Sequence, residues 1–138
     1  MEKSLVLIKP FAMSRGFATV ILSRLEVADL KLVGIKLLQM DKTLAERHYA
    51  IHRDKPFYDE LVDYITSGPI VAAVFQGENA VKRIRQLMGA TDPDKADDGT
   101  IRKEFGTDIR RNATHASDSP ENAVTEIGLF FKENEIYS

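Results

Sequence analysis

The longest strictly apolar run in the chain, Ile70 to Phe75, follows directly on the breaker Ser67-Gly68-Pro69. A run this short cannot span a bilayer, which takes about 20 residues. After a turn signal it reads as a strand buried in a core. A second compact run, Leu5 to Ile8, ends at Lys9-Pro10 and reads as another buried strand whose last residue projects at its edge. Between the two, the periodicity switches. Phe17, Val20, Ile21, Leu25 and Ala28 recur at helical spacing, whereas Val33, Ile35 and Leu37 alternate with Gly34 and Lys36 as in a half-buried strand. Phe57, Leu61 and Ile65 stripe a helix that Ser67-Gly68-Pro69 ends, and Ala80, Val81, Ile84, Leu87 and Met88 form the face of another. Strands and helices therefore mix along the whole length, which indicates an α/β or α+β sandwich. No linker interrupts the 138 residues, so a single domain over 1–138 is expected.

Composition narrows the chemistry. There is no cysteine, which removes disulfides, zinc–thiolate sites and thiol nucleophiles together. Lys and Arg total 19 against 21 Asp and Glu, so broad electrostatic attachment to a nucleic-acid polymer or an anionic membrane is not expected. The opening residues MEKSLVLIKP reach charge and proline before a signal-peptide core could form, and a cytoplasmic protein is expected.

One stretch departs from this tight organisation. From Ala90 to Arg111 only Ile101, Phe105 and Ile109 are scattered apolar side chains, and long loops inside small domains usually serve a function. Directly after it comes Asn112-Ala113-Thr114-His115-Ala116-Ser117-Asp118-Ser119-Pro120-Glu121. Asp118 or Ser119 can cap a helix whose first turn holds Pro120 and Glu121, and whose apolar face is Ala123, Ile127, Phe130 and Phe131. His115 then sits just before a helix N-terminus, where free N–H groups and the dipole favour anions. An imidazole at an anion site is what a phosphate-accepting nucleophile needs. Glu126, at the edge of that helix's apolar stripe, could accept the other ring N–H and hold the nucleophilic tautomer. His48 and His52, four residues apart on a predicted helix, could share a metal. With no cysteine and no HExxH-type glutamate between them, a solvated or packing role is expected instead.

Phosphate binding would have to come from side chains, because neither GxxxxGK[ST] nor GxGxxG occurs. Lys9 at a strand end, Arg85 beside the Ile84 stripe, Thr91, and Arg102 in the long loop are the candidates, provided that the fold brings them together.

The NATHASDSPE stretch resembles the nucleoside diphosphate kinase family, whose signature reads N-x-x-H-[GA]-S-D-S. The resemblance continues through LVLIKP, HYAIHRDKPFYDELVDYITSGPIVAAV, GENAVKRIRQLMGATDP and GTIRKEF in family order. It implies a ferredoxin-like sandwich with a four-stranded antiparallel sheet covered by helices. It also implies transfer of a γ-phosphate, mainly from ATP, to a nucleoside diphosphate through a phosphohistidine, with low base specificity. Residue by residue, His115 matches the histidine that carries the phosphate, and Lys9 a lysine contacting that phosphate and the sugar. Tyr49 matches a tyrosine near the histidine, and Phe57 the aromatic on which the base stacks, with Leu61 in the same nucleotide-binding set. Arg85, Thr91 and Arg102 match the phosphate grip, Asn112 an asparagine bonding the ribose, and Ser117 and Glu126 the residues that orient the histidine. Mg²⁺ is implied on the nucleotide phosphates and water, with no protein ligand. A homo-oligomer is implied, a hexamer rather than a tetramer, without nucleic acid or membrane as obligate partner. Ala116 stands where glycine is commonest, Phe11 where Asp or Asn is usual, and Thr19 where glycine is frequent. The alternatives are a non-catalytic nucleotide or single-stranded nucleic-acid binding module, and a phosphohistidine that serves mainly to phosphorylate another protein.

Overall fold

A computed structural model describes residues 1–109 and 111–138. Strands β1 (Glu2–Ile8), β2 (Lys31–Leu38), β3 (Ile70–Gly77) and β4 (Thr114–Ala116) form one antiparallel sheet in the order β2-β3-β1-β4. Seven α-helices occur among the described residues: α1 (Pro10–Ser14), α2 (Ala18–Glu26), α3 (Lys42–His48), α4 (Tyr58–Ile65), α5 (Ala80–Met88), α6 (Ile101–Phe105) and α7 (Pro120–Phe130). This is the ferredoxin-like sandwich that the resemblance implied.

The continuous apolar runs have a direct cause. A strand covered on both faces has no polar side, and β1 and β3 are the central pair. Val6 and Ile8 of β1 pack with Ile21 and Leu25 of α2 and Ile84 and Met88 of α5, whereas Leu5 and Leu7 pack with Ala45 of α3, Val62 and Ile65 of α4, and Phe130 of α7. Each face of the sheet therefore closes its own core.

Two sequence-based readings change. On β2 a bulge between Leu32 and Gly34 adds a residue and reverses the alternation beyond it. Val33 and Gly34 are both buried, while Ile35 is 49% and Leu37 68% exposed on an edge strand. The C-terminal segment packs tightly over Gly34, where a Cβ would lie 3.0 Å from Ile136 Cδ1 and 3.3 Å from both the Glu135 carbonyl and Phe131 Cε1. The stretch from Ala90 to Arg111, Arg110 lying outside the described residues, is not featureless. It holds a 3₁₀ turn at Pro93–Lys95 and the short helix α6, which buries Ile101 and Arg102. Strand β4, only three residues long, is too short for periodicity to reveal; its pairing with β1 creates it.

Candidate active site

His115 lies on β4 directly opposite Leu7 of β1. Cross-strand partners share a face, so the imidazole joins the side of the sheet covered by α3, α4 and α7. Its neighbours Thr114 and Ala116 point the other way, and Thr114 Oγ1 donates to Met88 Sδ of α5 at 2.9 Å. Ala113, just before the strand, holds φ at +80°, a conformation that costs a residue with a Cβ about 1–3 kcal/mol. Its carbonyl accepts from Lys9 N at 2.9 Å, which ties the entry of β4 to the exit of β1.

On that face α7 supplies the partner. His115 Nε2 and Glu126 Oε1 are 2.7 Å apart. A carboxylate can only accept, so Nε2 carries the proton and Nδ1 keeps the lone pair. Ser117 braces the pair, its Oγ donating to Glu126 Oε1 at 3.0 Å and accepting from Leu5 N at 3.3 Å. Helix α7 itself starts where expected, with Ser119 Oγ capping Asn122 N at 3.1 Å. Burial holds the His115 pKa below its ordinary value; Glu126 pulls it up, and Lys9 and Arg102 push it down. The ring is therefore neutral at pH 7.

The cations converge on the same cleft. It encloses about 410 Å³ and is lined by all the site residues named from the sequence except the buried Ser117: Lys9, Tyr49, Phe57, Leu61, Arg85, Thr91, Arg102, Asn112, His115 and Glu126. Lys9 Nζ donates to Asn112 Oδ1 at 2.9 Å, and Asn112 Nδ2 to the Thr91 carbonyl at 3.1 Å. Arg102 donates to the carbonyls of Gly89 (2.9 Å) and Thr114 (3.1 Å), and Arg85 approaches the Ala116 carbonyl at 3.5 Å. Among the described residues, none of the three is in an ion pair. Burial, aided by the Arg102 charge, lowers the Lys9 pKa to about 7; burial, aided by Arg85, lowers that of Arg102 to about 10. Neutral oxygens position these charges without cancelling them, and that is an anion site in search of its anion.

Phe57 and Leu61 from the start of α4 form an apolar lip, with the exposed Ile51 and Ile109 also lining the cleft. Tyr49 is buried beside the His48 ring, and burial pushes its phenol pKa up, so it stays neutral. Two carboxylates line the cleft. Glu126 is committed to His115 and Ser117, while Asp118 is exposed at the rim with Oδ1 taken by the Asn122 amide at 2.6 Å. They do not make the oxygen cage that a hard cation would need, so the residues fit an ion that arrives on phosphates.

Sequence reasoning passed over His48, Ile51, Asp118 and Ile109 as parts of the cleft. His48 is not solvated. It is buried at the end of α3, its ring edge-on to His115 with centroids 4.6 Å apart and to Phe130 at 5.7 Å. Its helical stripe could have suggested an inward position, but not its neighbour, which comes from β4. Of the departures, Phe11 is half-buried away from this cleft, its N–H donating to Tyr64 OH at 2.9 Å, and Thr19 is exposed on α2.

Comparison with known proteins agrees with the geometry. The family model described as nucleoside diphosphate kinase matches residues 2–136. The chain belongs to the nucleoside diphosphate kinase family. A nucleoside diphosphate kinase of Dehalococcoides mccartyi is 56% identical over 136 residues, 99% of this chain and 96% of that protein. Among solved structures, the Aquifex aeolicus nucleoside diphosphate kinase superposes with a TM-score of 0.96 at 42% identity, covering 98% of each chain. The Halobacterium salinarum enzyme, solved in complex with CDP, also reaches 0.96, at 45% identity over 99% of this chain and 91% of that one. The family is one of phosphotransferases acting on nucleotides, so the chain is a nucleotide-dependent phosphoryl-transfer enzyme and the non-catalytic alternative is not favoured. No described helix is long and apolar enough to cross a membrane.

Proposed function

We propose that His115 Nδ1 takes the γ-phosphoryl group of a nucleoside triphosphate, mainly ATP, and returns it to a nucleoside diphosphate bound in the same cleft, in the cytoplasm. The observation that carries this is the pairing of a fixed tautomer with cations that, among the described residues, have no acidic partner: Nε2 is held by Glu126, and Lys9, Arg85 and Arg102 are held by neutral oxygens. In the first half-reaction the Nδ1 lone pair forms the N–P bond as the bond to the β–γ bridging oxygen breaks, and the diphosphate leaves with that electron pair. The Glu126 carboxylate steadies the ring as it becomes cationic, and the three cations meet the charge on the departing phosphates. In the second half the acceptor's terminal phosphate oxygen attacks the phosphohistidine and regenerates the neutral ring. Mg²⁺, carried on the phosphates, would supply charge neutralisation and orientation there. Lys9 and Asn112, bonded to each other, would meet the sugar and its neighbouring phosphate, and Tyr49 packs against the His48 ring, which in turn stands edge-on to His115.

Low base specificity follows from the lip. Phe57 offers a π-face that every base can use, and Leu61 adds only apolar contact. The CDP bound by the H. salinarum relative is consistent with that breadth. The open edge of β2, with Ile35 and Leu37 exposed, supports a homo-oligomer, for which we favour a hexamer.

The decisive measurement is labelling with γ-labelled ATP in the absence of acceptor. Wild-type protein should take up an acid-labile, base-stable label that any nucleoside diphosphate discharges, and His115→Ala should take up none. Label persisting in His115→Ala, or no label in the wild type, would refute the assignment.

A further inference from the structure

His48 has both ring nitrogens buried and neither has a hydrogen-bond partner among the described residues. Buried polar atoms are nearly always paired, so a ring with two unpartnered nitrogens keeps donor capacity for a ligand. One donor atom each from His48, His115 and Glu126 lie within 4.8 Å of one another. We propose that this cluster is an inhibitory site for a divalent transition metal of the zinc class, with two imidazole nitrogens and one carboxylate oxygen as ligands.

The donor set selects the metal. Imidazole nitrogen suits Zn²⁺, Cu²⁺ and Ni²⁺, whereas Mg²⁺ prefers oxygen and keeps its water. Around a tetrahedral Zn²⁺, with bonds of about 2.0–2.2 Å, donors sit about 3.4 Å apart. The His115–Glu126 pair, now 2.7 Å apart, would open and the His48 ring would draw in from within the 4.8 Å that spans the three donors. Three protein ligands leave a fourth position for water, as in open zinc sites.

Inhibition follows from proton arithmetic and does not depend on which nitrogen of His115 binds. A neutral imidazole has one lone pair and one N–H. If Nδ1 takes the metal, the nucleophile is capped directly. If Nε2 takes it, the proton moves to Nδ1 and the lone pair is gone from the attacking atom. Phosphorylation of Nδ1 takes that nitrogen outright and leaves Nε2 protonated in a cationic ring, so a metal could then bind His115 only by displacing the Nε2 proton, and metal and phosphoryl group compete. The inhibitory consequence rests on the phosphohistidine reading; the binding itself does not.

The test uses Zn²⁺ as the probe and begins without nucleotide. Calorimetric titration of the wild type should show one Zn²⁺ per chain, weakened by about tenfold or more in both His48→Asn and His48→Phe. Circular dichroism confirms that each variant is folded, and His48→Asn serves where the phenyl ring is not accommodated. His52→Ala should bind as the wild type does, which separates this site from a His48–His52 pair on one helix. Equal binding by wild type and both His48 variants, or an equal loss in His52→Ala, would overturn the proposal. In a second arm, chains phosphorylated by ATP and freed of nucleotide should take up Zn²⁺ at this site more weakly by about tenfold or more, and undiminished uptake would likewise overturn it. Should the wild type accept no phosphate, the phosphohistidine assignment fails while the calorimetric arm still decides the site.

Discussion

Lys9 carries its ammonium where charge is disfavoured, buried at the end of β1 and facing Arg102. Its pKa of about 7 in the fold, against an ordinary value of 10.5, means that the unfolded chain binds more protons between those limits. The penalty is fully present below about pH 7, and stability rises as pH climbs from there toward 10.5. Function reverses the balance, because a phosphate beside Lys9 favours the charged form. Binding of a nucleoside diphosphate at pH 8 should therefore take up about one proton, read by calorimetry in two buffers of different ionisation heat. Lys9→Met should abolish that uptake, and identical heats in both buffers for the wild type would contradict it. His115 shifts in the opposite functional sense. Burial keeps it neutral to lower pH than a free imidazole, so the rate of label uptake should stay level from pH 8 to about 6.5 and fall only below that. A rate already halved at pH 6.5 would place the pKa where burial has no effect.

In the proposed reaction, helix α7 and the segment after α5 each hold one half of the chemistry. Ser119 starts α7 at a set distance from β4, which lets Glu126 reach His115, and among the described residues Glu126 is the acceptor on the Nε2 proton. Glu126→Ala should slow label uptake by about 10–100-fold with little change in Tm, since the lost contact orients rather than packs. An unchanged rate would remove Glu126 from the mechanism. At the end of α5, Gly89 adopts φ +83°, and a Cβ there would lie 2.5 Å from Thr100 Oγ1. Its carbonyl also receives Arg102 Nη1. Gly89→Ala should therefore cost about 2–4 kcal/mol in denaturant unfolding and raise the KM for nucleotide, because the strain falls on the element that aims Arg102. Lost stability with an unchanged KM would show that Arg102 is aimed from elsewhere.

Across the whole molecule, β2 forms one edge of the sheet and β4 the other. The tail covers part of the β2 edge, with Tyr137 N donating to Val33 O at 2.8 Å, and leaves Ile35 and Leu37 exposed beyond it. A Leu37→Lys, Ile35→Lys double variant should shift the protein toward monomer in sedimentation velocity, and an unchanged assembly would move the interface elsewhere. The runs Leu5–Ile8 and Ile70–Phe75 were legible in advance because strands buried on both faces leave no polar positions to obscure them. His115, Glu126 and the cation set were legible because their residue types stand in a characteristic order. The β2 alternation misled because a bulge is a pairing event that leaves no mark on the strand's own pattern. For His48 the packing alternative holds, but its place beside His115 could not be read from its own helix, because that neighbour comes from β4. Local periodicity and turn chemistry thus determined which segments became strands and helices, since those forces act within a few residues. Tertiary pairing alone decided that Leu7 stands opposite His115, that Lys9 reaches Asn112, and that three cations share one cleft, because those contacts join residues far apart in sequence whose energies exist only once the sheet has closed.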